Sequence, residues 1–357
     1  MTEYVDLTPV NIVTGFLGSG KTTLLQRLLR SPDLSDVAVL VNEFGEVGLD
    51  HHLLQNVAES TLLLENGCLC CAVRGDLQKA LRDLLSRRTR GEVPHFRRVV
   101  IETSGLADPA PIAYTLLSEA VLRHHFRLSG IVTTVDAVNG AAQLEGFAES
   151  VNQVAMADRL VVTKTDLADE PSLNALRERL HAVNGSAQIL YSSDIAGDFG
   201  GDLHQVLTDD IYDAAGKFRE ASQWTAVGAD AHHAHAHTAD VQSFTVIFDR
   251  PLDWTAFGVW ASMLLHRHGA DVLRLKGLLN IVGVPTPVLI NGVQHIVHPP
   301  SHLEQWPDAD RRSRLIFIVR ALQRARVERS LAVFNDLVNA PAASSAAPAT
   351  QPMIKRA

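Results

Sequence analysis

A glycine-rich segment near the N-terminus limits the possible folds of this chain more than any other feature. GFLGSGKT, residues Gly15–Thr22, matches the pattern G-x-x-x-x-G-K-[ST]. It follows the apolar run Val10–Thr14 and precedes the helical pattern Thr22–Leu29, the strand–loop–helix context in which such a loop binds phosphate. The loop's backbone N–H groups wrap the β-phosphate, its lysine neutralises β- and γ-phosphate oxygens, and its threonine hydroxyl binds Mg²⁺. The sequence therefore predicts a nucleoside triphosphate site formed by Gly15, Gly18, Ser19, Gly20, Lys21, Thr22 and Thr23.

Short apolar runs alternate with amphipathic helical stretches in the N-terminal part of the chain. Such alternation, with strands that are apolar almost throughout, is typical of a mostly parallel sheet covered by helices on both faces. We therefore expect an α/β P-loop NTPase domain at residues 8–212. Its strands are predicted at Val10–Thr14, Val37–Val41, Thr61–Leu64, Arg98–Glu102, Gly130–Val135, Leu160–Thr163 and Gln188–Tyr191.

The remaining residues divide into three parts. Residues 213–240 are rich in Gly, Ala, His and Asp, a composition that predicts a linker. Residues 241–338 predict a small α+β domain with two helices, and residues 339–357 a disordered tail, since they are mostly Ala, Pro, Ser and Thr. The strands of the second domain are predicted at Ser243–Phe248, Leu273–Leu279, Val288–Ile290, Gln294–Val297 and Leu315–Arg320.

The composition excludes several classes of protein. A net charge of −8 argues against a protein that binds nucleic acid or a membrane surface, which would carry a basic excess. No apolar run is long enough to span a bilayer, and Met1–Pro9 lacks the pattern of a secretion signal. All three cysteines lie within Cys68–Cys71, too close together for a disulfide framework. We therefore expect a cytoplasmic enzyme or binding protein.

A second motif, TKTD, indicates which base the nucleotide carries. It ends a predicted strand, and the carboxyl ends of strands in an open α/β sheet form its usual ligand edge. A carboxylate at Asp166 can accept hydrogen bonds from the N1–H and the exocyclic amine of guanine, groups that adenine does not present in this way. The motif Thr163, Lys164 and Asp166 therefore favours GTP over ATP. The alternative is that Asp166 only caps the following helix.

Two further polar segments follow predicted strands. Glu102 can hold the Mg²⁺ shell, and Gly105 can offer a backbone N–H to the γ-phosphate, so these two residues and Lys21 are the predicted catalytic groups. A plain strand-end glutamate is the alternative for Glu102. The segment with Asn42, Glu43 and Glu46, with Asp50 as a further Mg²⁺ ligand, is a predicted switch that γ-phosphate and Mg²⁺ would order.

The cysteines and the histidine cluster predict metal chemistry. Three thiols on one turn, Cys68, Cys70 and Cys71, can converge on a soft cation, with Glu46, a histidine or water in the fourth position. Such an incomplete cage suits a site that passes its metal on, whereas buried small cysteines are the alternative. The linker contains four clustered histidines, His232, His233, His235 and His237. Their imidazoles can bind Zn²⁺ or Co²⁺ loosely. The alternative is a solvated polar loop. In the second domain, His295, His298 and His302 are weaker candidates.

Taken in order, the segments GFLGSGKTT, NEFGEVGLD, ENGCLCC, ETSGLADP and TKTD resemble the CobW family of GTPases, and within it the YjiA-like subgroup. In the second domain, RLKG at Arg274–Gly277 and GVQHIVHPP at Gly292–Pro300 are similar to the family's C-terminal domain. The resemblance implies a metallochaperone that binds Zn²⁺ or Co²⁺ at the C-x-C-C thiolates and delivers it to a client apoprotein. It also implies that the nucleotide state is coupled to metal release. One departure is Thr163, where many guanine-binding motifs have Asn, so we expect somewhat relaxed base selectivity.

The leading hypothesis is therefore a GTP-hydrolysing metal chaperone, with GTP, Mg²⁺ and Zn²⁺ (or Co²⁺) bound and a client apo-metalloprotein as partner. Turnover is expected to be slow, because no arginine finger is identifiable within the chain. The alternatives are a zinc-buffering or storage protein that GTP tunes, a cobalt chaperone for cobalamin-related clients, or a P-loop kinase with structural cysteines. The sequence leaves open both the choice between Zn²⁺ and Co²⁺ and the choice between a monomer and a homodimer.

Overall fold

The structure is a computed structural model, and it describes residues 7–30, 34, 36–41, 62–65, 73–192, 205–208, 217–218, 221–222 and 241–339. The first part of the chain forms a parallel sheet of seven strands in the order β3-β2-β4-β1-β5-β6-β7. These strands are β1 Thr8–Gly15, β2 Val37–Val41, β3 Leu62–Glu65, β4 Arg98–Glu102, β5 Phe126–Asp136, β6 Arg159–Thr163 and β7 Gln188–Tyr191. Its helices are α1 Lys21–Leu28, α2 Val73–Thr89, α3 Ala110–Ser118, α4 Gly140–Gly146, α5 Ala148–Met156, α6 Glu170–Val183 and α7 Gln205–Thr208.

Both faces of this sheet are buried, as the continuous apolar strands predict. Successive residues of a strand point to opposite faces, so Ile12 packs with the apolar side chains of α2, α3 and α5, whereas Val13 packs with α1 and α7. Each face thus has its own apolar core. The expected α/β P-loop architecture is confirmed.

The second part of the chain forms an antiparallel sheet in the order β11-β10-β9-β13-β8, with β12 paired to β10. Its strands are β8 Val241–Phe248, β9 Val272–Leu279, β10 Val288–Val293, β11 Ile296–Val297, β12 Ser301–His302 and β13 Ser313–Arg320, and its helices are α8 Trp254–His268 and α9 Arg324–Asn339. One face packs on α8 and α9, where Phe317 and Trp260 meet edge to face at 6.4 Å between ring centroids. The other face joins the core of the first domain through Val241, Leu273, Val293 and Ile318.

The strand predicted at Gln294–Val297 is wrong at its start. Gln294 has φ 50°, a left-handed conformation that a strand does not contain, and it lies in the tight turn between β10 and β11. The preceding strand, predicted to end at Ile290, continues to Val293 because the antiparallel ladder with β9 extends to Arg274. Among the residues that the structure describes, no helix combines the length and the apolar character that crossing a membrane requires.

Candidate nucleotide-binding site

The predicted phosphate-binding loop connects β1 to α1 in a conformation with positive φ at all three of its glycines, Gly15, Gly18 and Gly20. Gly15 has φ 143°, and a Cβ there would overlap the hydroxyl of Thr134. Gly20 precedes the first residue of α1 and has φ 86°, in the left-handed region that favours glycine. The loop therefore places Lys21 and Thr22 as the first residues of the helix, where N–H groups that lack intrahelical partners can bind an anion.

Thr22 and Glu102, predicted to share one Mg²⁺ ion, lie next to each other. Thr22 Oγ1 donates a hydrogen bond to Glu102 Oε1 over 2.7 Å. The register explains the contact, because Glu102 is the last residue of β4 and pairs with Val13, two residues before the loop begins. Lys21 Nζ donates to the carbonyl oxygens of Gly15 at 3.0 Å and Phe16 at 3.2 Å, so it lies against the loop itself.

Gly105 lies directly beneath the loop. A Cβ at Gly105 would approach Leu17 Cδ2 to 2.5 Å and Leu17 Cα to 2.8 Å, so only glycine allows this close contact. Gln153 on α5 holds the segment in place by donating to the carbonyl oxygens of Gly105 at 3.2 Å and Ala107 at 3.0 Å. Sequence reasoning missed Gln153, which is 1% exposed.

Helix α5 also contacts the second domain. Arg320 of β13 donates a hydrogen bond to Asn152 Oδ1, one residue before Gln153. The same short helix is therefore hydrogen-bonded both to the segment that follows Glu102 and to the antiparallel sheet.

The TKTD motif lies beside the phosphate-binding loop. Thr163 Oγ1 donates to Ser19 O over 2.8 Å and lies 3.2 Å from Val135 O, while the Ser19 hydroxyl is 2.6 Å from that of Thr134. Thr163 stands at the position where many guanine-binding motifs have asparagine. Its hydroxyl thus joins the backbone of the loop to the end of β6. The two predicted motifs, 144 residues apart in the chain, form one site.

Lys164 and Asp166 follow at the same edge of the sheet. Lys164 has φ 56° and ψ 33°, and Asp166 is exposed in the short 3-10 turn Thr165–Leu167. The alternative role of Asp166 as the cap of α6 is wrong, because Asp169 accepts the hydrogen bond from Ser172 N at 2.9 Å. Asp166 is thus available for a ligand.

Asp136, the last residue of β5, also belongs to this site, although sequence reasoning did not single it out. Its carboxylate is 2.7 Å from Lys164 Nζ and accepts hydrogen bonds from Val138 and Asn139. Burial raises the pKa of Asp136, but the hydrogen bonds from Lys164 and Asn139 outweigh it, so its pKa lies below the ordinary range. The only local signal for this role is a carboxylate at the end of an apolar strand.

The predicted switch, thiol and linker residues lie outside the part of the chain that the structure describes. These are the switch residues and the Mg²⁺ ligand Asn42, Glu43, Glu46 and Asp50, the thiols Cys68, Cys70 and Cys71, and the linker histidines His232, His233, His235 and His237. Within the described residues, no group of three or more His, Cys, Asp or Glu side chains could hold a metal ion. Of the candidates in the second domain, His295 Nδ1 is 3.0 Å from Leu265 O, His302 is exposed, and His298 is 1% exposed.

A buried charge cluster joins the two domains near the end of α5. Asp158 Oδ2 accepts from Ile131 N at 2.9 Å, while Asp158 Oδ1 accepts a hydrogen bond from Arg274 and lies 3.3 Å from Lys276 Nζ. Burial raises the pKa of Asp158, but the charges of Arg274 and Lys276 outweigh it, so its pKa is about 2. The carboxylate is therefore ionised and forms a buried ion pair between the domains.

Comparison with known proteins identifies two domains. Residues 9–191 match the family described as CobW/HypB/UreG, nucleotide-binding domain, and residues 241–335 match the cobalamin synthesis protein cobW C-terminal domain. The chain is 34% identical over 323 residues to the zinc chaperone YjiA of Escherichia coli strain K12, a match that covers 90% of this chain and 97% of that one. It is 30% identical over 312 residues to zinc-regulated GTPase metalloprotein activator 1 of Schizosaccharomyces pombe, covering 77% and 73%. The crystal structure of Zn(II)-bound YjiA GTPase from E. coli superposes with a TM-score of 0.67 at 28% identity, covering 92% of this chain and 99% of that one.

Proposed function

This chain belongs to the CobW/HypB/UreG family and carries a CobW C-terminal domain, and we propose that it is a GTP-hydrolysing chaperone that transfers zinc to client apo-metalloproteins. The 2.7 Å contact between Thr22 and Glu102 carries the proposal, because it unites the predicted Mg²⁺ ligands beside the phosphate-binding loop. The names of two relatives, a zinc chaperone and a zinc-regulated GTPase metalloprotein activator, support zinc as the cargo.

The proposed roles in GTP hydrolysis follow from the positions of the residues. Lys21 exchanges its contacts with the loop carbonyls for β- and γ-phosphate oxygens, and Gly105 offers its backbone N–H to the γ-phosphate. Thr22 and Glu102 supply the hydroxyl and carboxylate oxygens that Mg²⁺ prefers. Mg²⁺, when bound, neutralises charge on the β- and γ-phosphates. Asp166 accepts hydrogen bonds from the guanine base, with Lys164 beside it.

The proposed metal site is coupled to this chemistry through the sheet edge. Val41, the last residue of β2, pairs with Glu102 on one side and with Glu65, the last residue of β3, on the other. Strands β2 and β3 therefore end beside the proposed Mg²⁺ ligand, and in the sequence they are followed by segments 42–61 and 66–72. The first contains the predicted switch and the second contains the three thiols, so a change in the nucleotide can alter both. We assign zinc binding to the thiolates of Cys68, Cys70 and Cys71 with Glu46 as the fourth ligand.

The histidines of the linker have an auxiliary place in the proposal. They would capture metal loosely and supply it to the thiolates. The proposal therefore distinguishes a tight metal site, whose affinity depends on the nucleotide, from a weak metal site, whose affinity does not.

The test is a Zn²⁺ titration against a chromogenic chelator, with GTP hydrolysis measured on the same protein. The apo, GDP-bound and non-hydrolysable GTP-analogue states are compared, in the wild type and in a Cys68/Cys70/Cys71→Ser variant. A matched control replaces the four linker histidines with Ala. We expect one tight site that the Ser variant lacks and the histidine variant retains. Its affinity should change by about tenfold with the nucleotide, a coupling of about 1.4 kcal/mol.

Two results would contradict the proposal. Equal zinc affinity in every nucleotide state would leave the metal and GTP uncoupled, as expected of a zinc buffer. Phosphate release that is equally fast with ATP, or absent with GTP, would refute the assignment of the base or of the reaction.

A further inference from the structure

Asp136 is almost fully buried, so its charge requires close partners. The residue is 1% exposed, and it is paired in the parallel ladder with Thr163, the first residue of the TKTD motif. Its Oδ2 accepts from Lys164 Nζ at 2.7 Å and from Asn139 Nδ2 at 3.1 Å. Its Oδ1 accepts from the backbone N–H groups of Val138 at 2.8 Å and Asn139 at 3.1 Å. A carboxylate bound on both oxygens is a rigid support.

Lys164 depends on this support more than an ordinary surface lysine would. Its backbone is left-handed, a conformation that is unfavourable for a residue with a Cβ, and the side chain is 38% exposed. A half-exposed lysine normally keeps much of its rotamer freedom. The ion pair with Asp136 instead fixes the ammonium group at the sheet edge.

The conformation of Lys164 also sets the direction of the turn that follows it. Leu167 N donates to Lys164 O at 3.0 Å, which closes the short turn containing Asp166. Asp166 is exposed, and the turn sets the position of its backbone. A carboxylate can distinguish guanine from adenine only when its position is fixed, because a misplaced carboxylate does not form the hydrogen bonds that are specific to guanine.

We propose that Asp136 is a positioning residue for base selection, which holds Lys164 and, through it, the turn that presents Asp166 to guanine. This inference rests on the proposed GTP-binding function. Asp136 itself touches neither the base nor the phosphates; it acts through Lys164.

The test compares nucleotides that differ only in the base. The affinities of GDP and ADP, each with Mg²⁺, are measured by isothermal titration calorimetry for the wild type, Asp136→Asn and Lys164→Met. The matched control is Glu145→Gln, which removes one negative charge from the exposed ion pair with Arg179. Circular dichroism melting curves report whether each variant folds.

Asp136→Asn should weaken GDP binding by about tenfold, the loss of one charge-assisted hydrogen bond, and leave ADP binding unchanged. Lys164→Met should have the same effect, and the double variant should be no weaker than Lys164→Met alone. For Asp136→Asn the loss should appear as a higher KM for GTP, while kcat at saturating GTP stays within about twofold of the wild type. Glu145→Gln should match the wild type.

Equal weakening of GDP and ADP by Asp136→Asn would overturn the inference, because it would show general support of the fold. If Asp136→Asn does not fold, Lys164→Met decides: unchanged GDP affinity in that variant overturns the inference. A wild-type protein that binds GDP and ADP equally would instead refute the proposed GTP function, and the inference with it. These results therefore distinguish a failure of the inference about Asp136 from a failure of the proposed GTP-binding function.

Discussion

His298 should make the stability of the second domain sensitive to mild acid. The side chain is 1% exposed, and it lies near Arg274, Lys276 and Asp158. Burial, followed by the positive charge of Arg274, lowers the pKa of His298 to about 3. The negative charge of Asp158 raises the pKa of His298, but by less than burial and Arg274 lower it. The imidazole is therefore neutral in the folded protein at every pH above about 4.

The size of the effect follows from the difference between the folded and unfolded states. An unfolded histidine titrates near pH 6.5, so below that pH the unfolded chain binds a proton that the folded chain does not. Because the folded pKa is the lower one, the stability is complete above pH 6.5 and falls as the pH falls toward 3. Between pH 7 and pH 5, His298 alone should cost about 2 kcal/mol of unfolding free energy.

Urea unfolding monitored by tryptophan fluorescence measures this loss. Three of the chain's four tryptophans, Trp254, Trp260 and Trp306, lie in the second domain, so most of the fluorescence signal reports on that domain. The unfolding free energy is compared at pH 7 and pH 5 for the wild type, His298→Gln and the exposed control His302→Gln. Between pH 7 and pH 5, the unfolding free energy of the wild type and of the control should fall by about 2 kcal/mol more than that of His298→Gln. Equal losses in all three proteins would show that folded His298 accepts the proton, and the reasoning would be refuted.

Three further perturbations test other parts of the structure. Asp158→Asn removes the buried negative charge that pairs with Arg274 and Lys276 and should lower the unfolding free energy by about 3–5 kcal/mol in the same urea assay. A loss below about 1 kcal/mol would contradict a buried ion pair. Gly105→Ala places a Cβ 2.5 Å from Leu17 Cδ2. It should slow GTP turnover by about a hundredfold in a phosphate-release assay. Normal turnover would show that the segment containing Gly105 shifts freely to accept the methyl group. Thr22→Ala removes the hydroxyl that donates to Glu102 and should abolish the Mg²⁺ dependence of GTP affinity; an unchanged Mg²⁺ titration would rule out Thr22 as a ligand.

The core elements of the site were predictable because their signals are local. The glycine spacing of the phosphate-binding loop can be recognised from eight consecutive residues, and all three of those glycines have a positive φ that other residues rarely adopt. The expected placement of Glu102 and of the TKTD motif followed from a general rule, since the carboxyl ends of parallel strands meet at one edge. The fold class followed from apolar strands that alternate with amphipathic helices.

Strand ends were less predictable, for a reason that the turn at Gln294 illustrates. An apolar pattern indicates which residues are buried, but the end of a strand depends on the partner that supplies its hydrogen bonds. The pairing of β10 with β9 extends that strand to Val293, and the left-handed conformation of Gln294 ends it.

The sequence by itself determined the α/β class of the first domain, the motif of a phosphate-binding loop between a strand and a helix, and the α+β class of the domain that follows. Only the tertiary structure decided which distant polar groups meet. Lys164 and Asp136 are 28 residues apart, Gln153 and Gly105 are 48 apart, and Arg274 and Asp158 are 116 apart. These pairs form because packing brings the elements together and because a buried charge or amide must find a partner there. Such a requirement acts across the whole fold and leaves no pattern in the neighbouring sequence.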